Sequence, residues 1–303
     1  METFREKTAL VIINPVSGKR GSNEKKIRSV LDYLQRLSYK LCVNKTKRKG
    51  EAKQIVKDYA KNATIILCCG GDGTLHEVIN GLLDEKLKTP VYYFPCGTTN
   101  DMGKTLGLTN NAEDYIKVVR DGIFNEQDVA VFNDELFMIY TATFGLCSEV
   151  AYKTPHTLKS IFGYLAYWIY SIKSIKTFKR YRGRVWADDK KIEEDFLFGC
   201  VSNSLSVAGF IRLDREKVDL SDGRMDLLLI KYPENLISFL ELVYEMMSKK
   251  YSEKHFIIAQ AENFSFDLDA KTEWGLDGEY VGMFDRVNMK VLPKAYSILK
   301  NND

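Results

Sequence analysis

Short apolar runs alternate with amphipathic segments along the first part of the chain. Thr8–Ile13 reads as a strand, and Asn23–Leu37 as a helix whose apolar positions Ile27, Val30, Leu31, Leu34 and Leu37 recur at helical spacing. Leu41–Asn44 reads as a second strand, Glu51–Lys61 as a helix and Thr64–Cys69 as a third, buried strand. A helix at Thr74–Leu83, a strand at Val91–Phe94 and helices at Thr99–Leu106 and Ala112–Asp121 continue the alternation. Strand and helix in turn at this spacing predict a parallel sheet with helices on its faces. Ligands of such sheets bind beyond the carboxyl ends of the strands.

The pattern changes after about Phe124. Gln127–Thr143 and Tyr181–Ser202 read as β-rich, with a long helix at Thr157–Phe178 between them. Further strands are expected at Met225–Ile230, Phe256–Gln260, Asn263–Leu268 and Val287–Val291, and a helix at Pro233–Met247. The fold class predicted is α/β: a parallel-sheet domain over 1–126, then a β-rich sandwich or open barrel over 127–303 whose last residues can return to the first domain. With no repeat or long linker, the two domains are expected to pack directly and leave a cleft.

Composition narrows the classes. A net charge of +3 over 303 residues does not suggest a nucleic-acid binder. The charge is uneven, however: residues 1–61 hold sixteen Lys/Arg against six Asp/Glu, and Ser171–Ala187 holds six basic residues and no acid. Polyanions such as nucleotide phosphates or anionic headgroups are therefore candidate partners. The six cysteines form no CxxC pair and read as reduced core residues of a cytoplasmic protein. The N-terminus lacks a signal-peptide layout. The apolar run Ile161–Ile172 is about twelve residues, short of the roughly twenty that span a bilayer.

The chemistry is carried by turns. Gly70-Gly71-Asp72-Gly73-Thr74 follows an apolar strand and opens a helix, so its glycines let the backbone approach an anion at the free N–H groups of the helix start. Asn14-Pro15-Val16-Ser17-Gly18-Lys19-Arg20 ends the first strand, and Pro95-Cys96-Gly97-Thr98-Thr99-Asn100-Asp101 ends the fourth. Three such turns at one sheet edge outweigh the alternative of a tight strand-to-helix connection. Neither the GxxxxGK[ST] phosphate loop nor a GxGxxG after the first strand occurs, and protein-kinase signatures are absent.

NPxSGK, GGDGT and GTTND in this order, with DLSDGRMDLLL and LDGE near the C-terminus, resemble the catalytic domain of diacylglycerol kinases, sphingosine kinases and their bacterial soluble relatives. The resemblance implies an ATP-dependent, Mg²⁺-assisted phosphotransferase acting on the hydroxyl of a membrane lipid, with diacylglycerol first. It implies that Gly71, Asp72, Gly73 and Thr74 hold the ATP phosphates, with Leu75, His76 and Glu77 following on the helix. Asn14, Pro15, Val16, Ser17 and Gly18 line the nucleotide in this reading, Thr46 and Thr98 lie beside it, and Lys19 reaches phosphate. Lys104 stands where relatives carry an arginine, keeping the charge but not the bidentate fork.

By the same resemblance Asp222 supplies a carboxylate, and Asp219 and Arg224 carbonyls, to a structural Mg²⁺; the alternative is an ordinary Asp-Gly turn. Either Asp277 or Glu279 is the general base that takes the acceptor proton. Ser206–Phe210 departs from the glycine run of relatives. Transient contact with an anionic membrane is expected through the Thr157–Phe178 helix or the Lys173–Arg184 basic run, and a homodimer is expected from the resemblance. The competing readings are an NAD kinase, which shares GGDGT, and a non-catalytic lipid- or nucleotide-binding regulator.

Overall fold

The computed structural model describes residues 7–18, 23–98, 100–145, 178–203, 206–207, 211–212 and 222–302. The chain divides into two compact units, Met1–Asp128 with Lys294–Asp303, and Val129–Pro293.

The first unit is the alternating part. Its strands are β1 (Thr8–Ile13), β2 (Lys40–Lys45), β3 (Ile65–Gly70) and β4 (Val91–Pro95), separated by helices α1 (Glu24–Arg36), α2 (Glu51–Tyr59) and α3 (Asp72–Asp84); α4 (Asp101–Thr105) and α5 (Ala112–Asp121) follow. β3 lies between β1 and β4, and β2 flanks β1, all in parallel. β3 and β4 are buried along their whole length, as continuous apolar strands covered on both faces must be. The helices present narrow apolar stripes to the sheet, such as Ile27, Val30 and Leu34 of α1, and leave their charged residues outside. α5 starts where Asn111 accepts from the N–H groups of Glu113 and Asp114, at 2.9 and 3.2 Å, satisfying two donors that the helix cannot use internally.

The strands that follow are β5 (Ile123–Phe132), β6 (Leu136–Met138), β7 (Thr141–Gly145), β8 (Tyr181–Ala187), β9 (Lys190–Ser202), the short pair β10 (Ser206–Val207) and β11 (Ile211–Arg212), and β12 (Met225–Lys231). Helix α6 (Leu236–Ser248) precedes β13 (Phe256–Ala261), β14 (Asn263–Leu276) and β15 (Glu279–Lys300).

Two long strands curl the second unit onto itself. β9 pairs β8 through Lys190–Phe196 and β7 through Phe198–Ser202. β14 likewise pairs β8 through Phe264–Leu268 and β7 through Trp274–Leu276. Each therefore changes partner part-way, and the enclosed side is filled by Phe144, Phe196, Phe266 and Trp274, whose rings meet at 4.9–6.5 Å. A smaller core lies under α6, where Phe239, Leu242, Val243 and Met246 meet Phe198, Leu228 and Ile230. The end of β15 re-enters the first unit, with Ile298 beside Val91 in parallel register.

The sequence predicts the first-unit elements to within a few residues. The largest difference is β15, expected only at Val287–Val291. Its 22 residues include Pro293 and a left-handed Lys294 (φ 51°), breaks that read locally as turn signals. Pairing with β14 holds the strand over Glu279–Lys290, before these breaks, and beyond them Ile298 pairs Val91 of β4. The helix expected at Thr157–Phe178 lies, except for its last residue, outside the described residues.

Candidate functional site

The three glycine-rich turns end β1, β3 and β4, which are neighbours in the sheet, so the predicted edge is real. Side chains sew the turns together. Asn14 donates through Nδ2 to Thr74 Oγ1 at 3.0 Å, joining the first turn to the second, while its Oδ1 accepts from Val16 N–H at 3.2 Å. Asn23 donates to the carbonyls of Ser17 and Cys96, both at 3.2 Å, joining the first turn to the third. Asp72 joins the second to the third, its carboxylate accepting from the N–H groups of Asp101 and Met102 at 3.0 and 3.2 Å. Asn100 then closes the third turn on itself, accepting from Gly97 N–H at 2.8 Å and donating to Gly97 O at 2.9 Å.

Glycine is required where these turns touch. A Cβ on Gly97 would lie 2.7 Å from Gly71 Cα and 2.7 Å from Asn100 Oδ1, so the second and third turns meet main chain to main chain. Gly18 has φ +70°, and a Cβ there would fall 2.3 Å from the Cys96 carbonyl. Beside this contact α3 begins without a side-chain cap. Thr74 and Leu75 N–H both donate to Gly71 O, whereas the N–H groups of Asp72 and Gly73 donate to nothing among the described residues. Two donors at the positive end of a helix form an anion site.

Burial dominates the electrostatics. Loss of water pushes the Asp72 carboxyl above the ordinary carboxylate value, against the pull of the two N–H groups it accepts from. The Tyr93 hydroxyl, 3.5 Å from Asp72, is pushed up strongly by burial, with Asp72 adding to the effect. Cys96 is pushed up to about 12 by burial, so the thiol next to the turns stays protonated and unreactive.

Several predicted site residues have structural contacts of their own. Glu77 accepts from Gly50 and Ala52 N–H at 2.7 and 3.1 Å, so both its oxygens cap the start of α2. Thr46 is buried with its N–H on Ile13 O at 2.9 Å, and the Leu75 side chain is core. His76 is half-buried, and its carbonyl accepts from Asn80. Pro15, Val16 and Thr98 are exposed at the turns, and Lys104 is exposed with its ammonium 3.2 Å from Asp101. Lys19 and Arg20 lie outside the described residues. Asn23 and Tyr93 were missed by sequence reasoning, and Asn100 was read only as part of the third turn: Asn23 reads as a helix start, and nothing local shows that it spans two turns.

In the second unit the LDGE segment separates its acids. Asp277 is buried in a left-handed conformation (φ 51°). Its carboxylate accepts from Ile139 N–H at 2.8 Å and from Tyr140 and Thr141 N–H, both at 2.9 Å. Its own N–H donates to Thr141 O at 2.8 Å, and Tyr140 Oη donates to its carbonyl at 2.8 Å. Glu279, two residues on, is only half-buried.

Asp222 is exposed at an Asp-Gly turn (Gly223 φ 79°), and its Oδ1 accepts from Arg224 N–H at 2.9 Å. The buried Asp226 carboxyl is raised by burial, and the Asp222 charge adds to it. An exposed carboxylate next to a buried one, in a turn of oxygen donors, suits a hard cation such as Mg²⁺. The Arg224 side chain turns to Gln260 O at 2.8 Å, which leaves only main-chain oxygen for such a role. Asp219 lies outside the described residues, and no group of three or more His, Cys, Asp or Glu among the described residues forms a metal site.

Residues 8–132 match the family model of the diacylglycerol kinase catalytic domain. A diacylglycerol kinase of Bacillus subtilis is 30% identical to this chain over 282 residues, covering 91% of each. The chain belongs to the diacylglycerol kinase family. A diacylglycerol kinase of Staphylococcus aureus is 27% identical across 98% of this chain and 93% of its own length. The crystal structure of a diacylglycerol kinase from Bacillus anthracis has the same fold at 20% identity, with a TM-score of 0.75 over 99% of each chain. This member of the diacylglycerol kinase family is thus a kinase, and its family uses ATP as phosphoryl donor. No helix among the described residues is long and apolar enough to cross a membrane.

Proposed function

We propose that this kinase phosphorylates the hydroxyl of diacylglycerol to give phosphatidic acid. The observation that carries the reading is the conjunction of three interlocked turns with two open helix N–H groups in a chain whose Bacillus subtilis relative is a diacylglycerol kinase. In this proposal the N–H groups of Asp72 and Gly73 hold ATP phosphate, and Gly71, Thr74, Thr98 and the Asn14–Gly18 turn line it. Lys19 and Lys104 add charge there. Asp72 keeps the second and third turns in register.

Glu279 takes the proton of the acceptor hydroxyl. The acceptor oxygen bonds to the γ-phosphorus as the bond from that phosphorus to the β–γ bridging oxygen breaks, and ADP leaves. The Asp277 carboxylate already accepts three main-chain N–H groups, so we assign it the positioning of the turn and give the base to Glu279. Asp222, with main-chain oxygens of Asp219 and Arg224, would hold a Mg²⁺ ion. Such an ion, when bound, supplies fixed positive charge.

Thin-layer separation of products from labelled ATP tests the assignment across diacylglycerol, sphingosine, ceramide, phosphatidylglycerol, a polyprenol and NAD. Labelled phosphatidic acid is expected, dependent on Mg²⁺. Label in NADP alone, or in no product, would sink it.

A further inference from the structure

Helix α6 is apolar on more than the side it buries. At roughly 100° per residue, Phe239, Leu242, Val243 and Met246 share the side that meets the sheet, and all four are buried. Leu236, Ile237, Leu240, Tyr244 and Met247 fall on the adjacent flank and are exposed, Ile237 by 71%, Tyr244 by 67% and Met247 by 58%. The remaining side carries the polar residues, and each has a partner. Ser238 meets His255 at 3.0 Å, Glu241 pairs with Lys254, and Glu245 accepts from Ser252 Oγ at 2.7 Å. The exposed flank is therefore free of charge along the helix, whereas the outer face of a helix on a soluble unit is ordinarily polar.

The nearby cations separate into two groups. Arg180 and Arg182 share Asp195, Arg184 meets Asp267, and Lys231 meets Glu194, so acids in contact offset part of their pull on a distant anion. Most of these residues and Lys254 also line a cavity of about 820 Å³, which Glu193, Glu234 and Asp269 line as well, so charges of both signs face it. Lys249 and Lys250, which follow the last turn of α6, are exposed and have no ion pair among the described residues. An apolar flank ending in unpaired lysines is the pattern of a helix lying in the surface of an anionic bilayer, its apolar side chains in the acyl boundary and its ammonium groups at the headgroups.

We infer that the Leu236–Met247 flank of α6, with Lys249 and Lys250, docks this kinase on anionic membranes. The inference rests on the reading that the acceptor is a bilayer lipid. The basic run at Lys179–Arg184 is offset in part by Asp195 and Asp267, so the docking cations assigned here are Lys249 and Lys250.

Co-sedimentation with vesicles of phosphatidylcholine and phosphatidylglycerol, free of diacylglycerol and ATP, tests docking apart from catalysis. The exposed triple variant Ile237→Ser/Tyr244→Ser/Met247→Ser is expected to bind at least roughly ten-fold less while keeping its melting temperature. Lys249→Glu/Lys250→Glu is expected to weaken binding to anionic vesicles about ten-fold and to leave binding to pure phosphatidylcholine unchanged. Both variants should retain activity on a short-chain diacylglycerol dispersed in water. Unchanged vesicle binding by the triple variant overturns the inference. So does a parent dimer that the triple variant converts to monomer with vesicle binding intact, which would assign the flank to a second copy. If the parent binds vesicles through α6 but phosphorylates no lipid, the functional reading fails and the docking surface stands.

Discussion

Asp72 and Asp277 are both followed by glycine, and both accept main-chain N–H groups from a segment far away in sequence, yet their settings differ. Asp72 is half-exposed, opens a helix and clasps a turn thirty residues on with two hydrogen bonds, and burial holds its carboxyl above the ordinary value. Asp277 is buried, left-handed and saturated by three N–H groups of Ile139–Thr141. The first carboxylate is kept in an environment that disfavours its charge, as functional groups often are. The second behaves as a rivet. The Asp-Gly pair alone does not distinguish them; the number and origin of the N–H groups do.

The sharpest way to break this contrast is at the neighbour of Asp277. Glu279→Gln should lower kcat by about 10²–10⁴-fold, the usual range for loss of a general base. Its melting temperature should match that of the parent. A variant with near-normal kcat would return the proton-accepting role to Asp277. Asp277→Ala should act mainly on stability, at a cost on the order of 3 kcal/mol for stranded main-chain donors, read from urea denaturation. Asp277→Asn, which keeps an acceptor, should recover part of that loss.

Gly97→Ala probes the clasp that Asp72 maintains. The added methyl meets Gly71 Cα at 2.7 Å, so a loss of roughly 1–3 kcal/mol in stability is expected. Calorimetry should also show at least roughly ten-fold weaker ATP binding, because the two turns must part.

The smallest effect is expected for Asp72→Asn, and its sign is informative. A carboxyl raised in the folded state takes a proton more readily there than in the unfolded chain, so its ionisation lowers stability as pH rises through that interval. Asp72→Asn removes that charge but turns an amide NH2 towards one of the two N–H donors, so its melting temperature should gain on the parent's as pH rises through the interval. That gain should disappear as pH falls below the ordinary carboxylate value, while kinase activity stays impaired throughout. A large drop in melting temperature would make Asp72 a rivet like Asp277.

Much of this was legible because it is local. Alternation of Thr8–Ile13, Asn23–Leu37 and Thr64–Cys69 announces a parallel sheet, and a sheet of that kind dictates the edge at which its turns gather. Long-range pairing was not legible. Asn23 serves two turns at once, Glu77 caps a helix 26 residues before it, and the partner exchange of β9 and β14 depends on strands distant in sequence. The motif LDGE pointed to two acids, and only the N–H groups of Ile139–Thr141 reveal that one of them is already occupied.

The bare contact between Gly71 and Gly97 also bears on how this turn surface can change over time. Where Gly71 meets Gly97 the cradle is made of peptide groups, and the side chains that tie the turns, Asn14, Asn23, Asp72 and Asn100, attach around that contact. Neither of the two glycines can gain even one carbon without the opposite strand end retreating. Divergence of ligand preference in such a scaffold is therefore channelled into residues beyond the touching loops, while the loops themselves stay frozen in backbone shape.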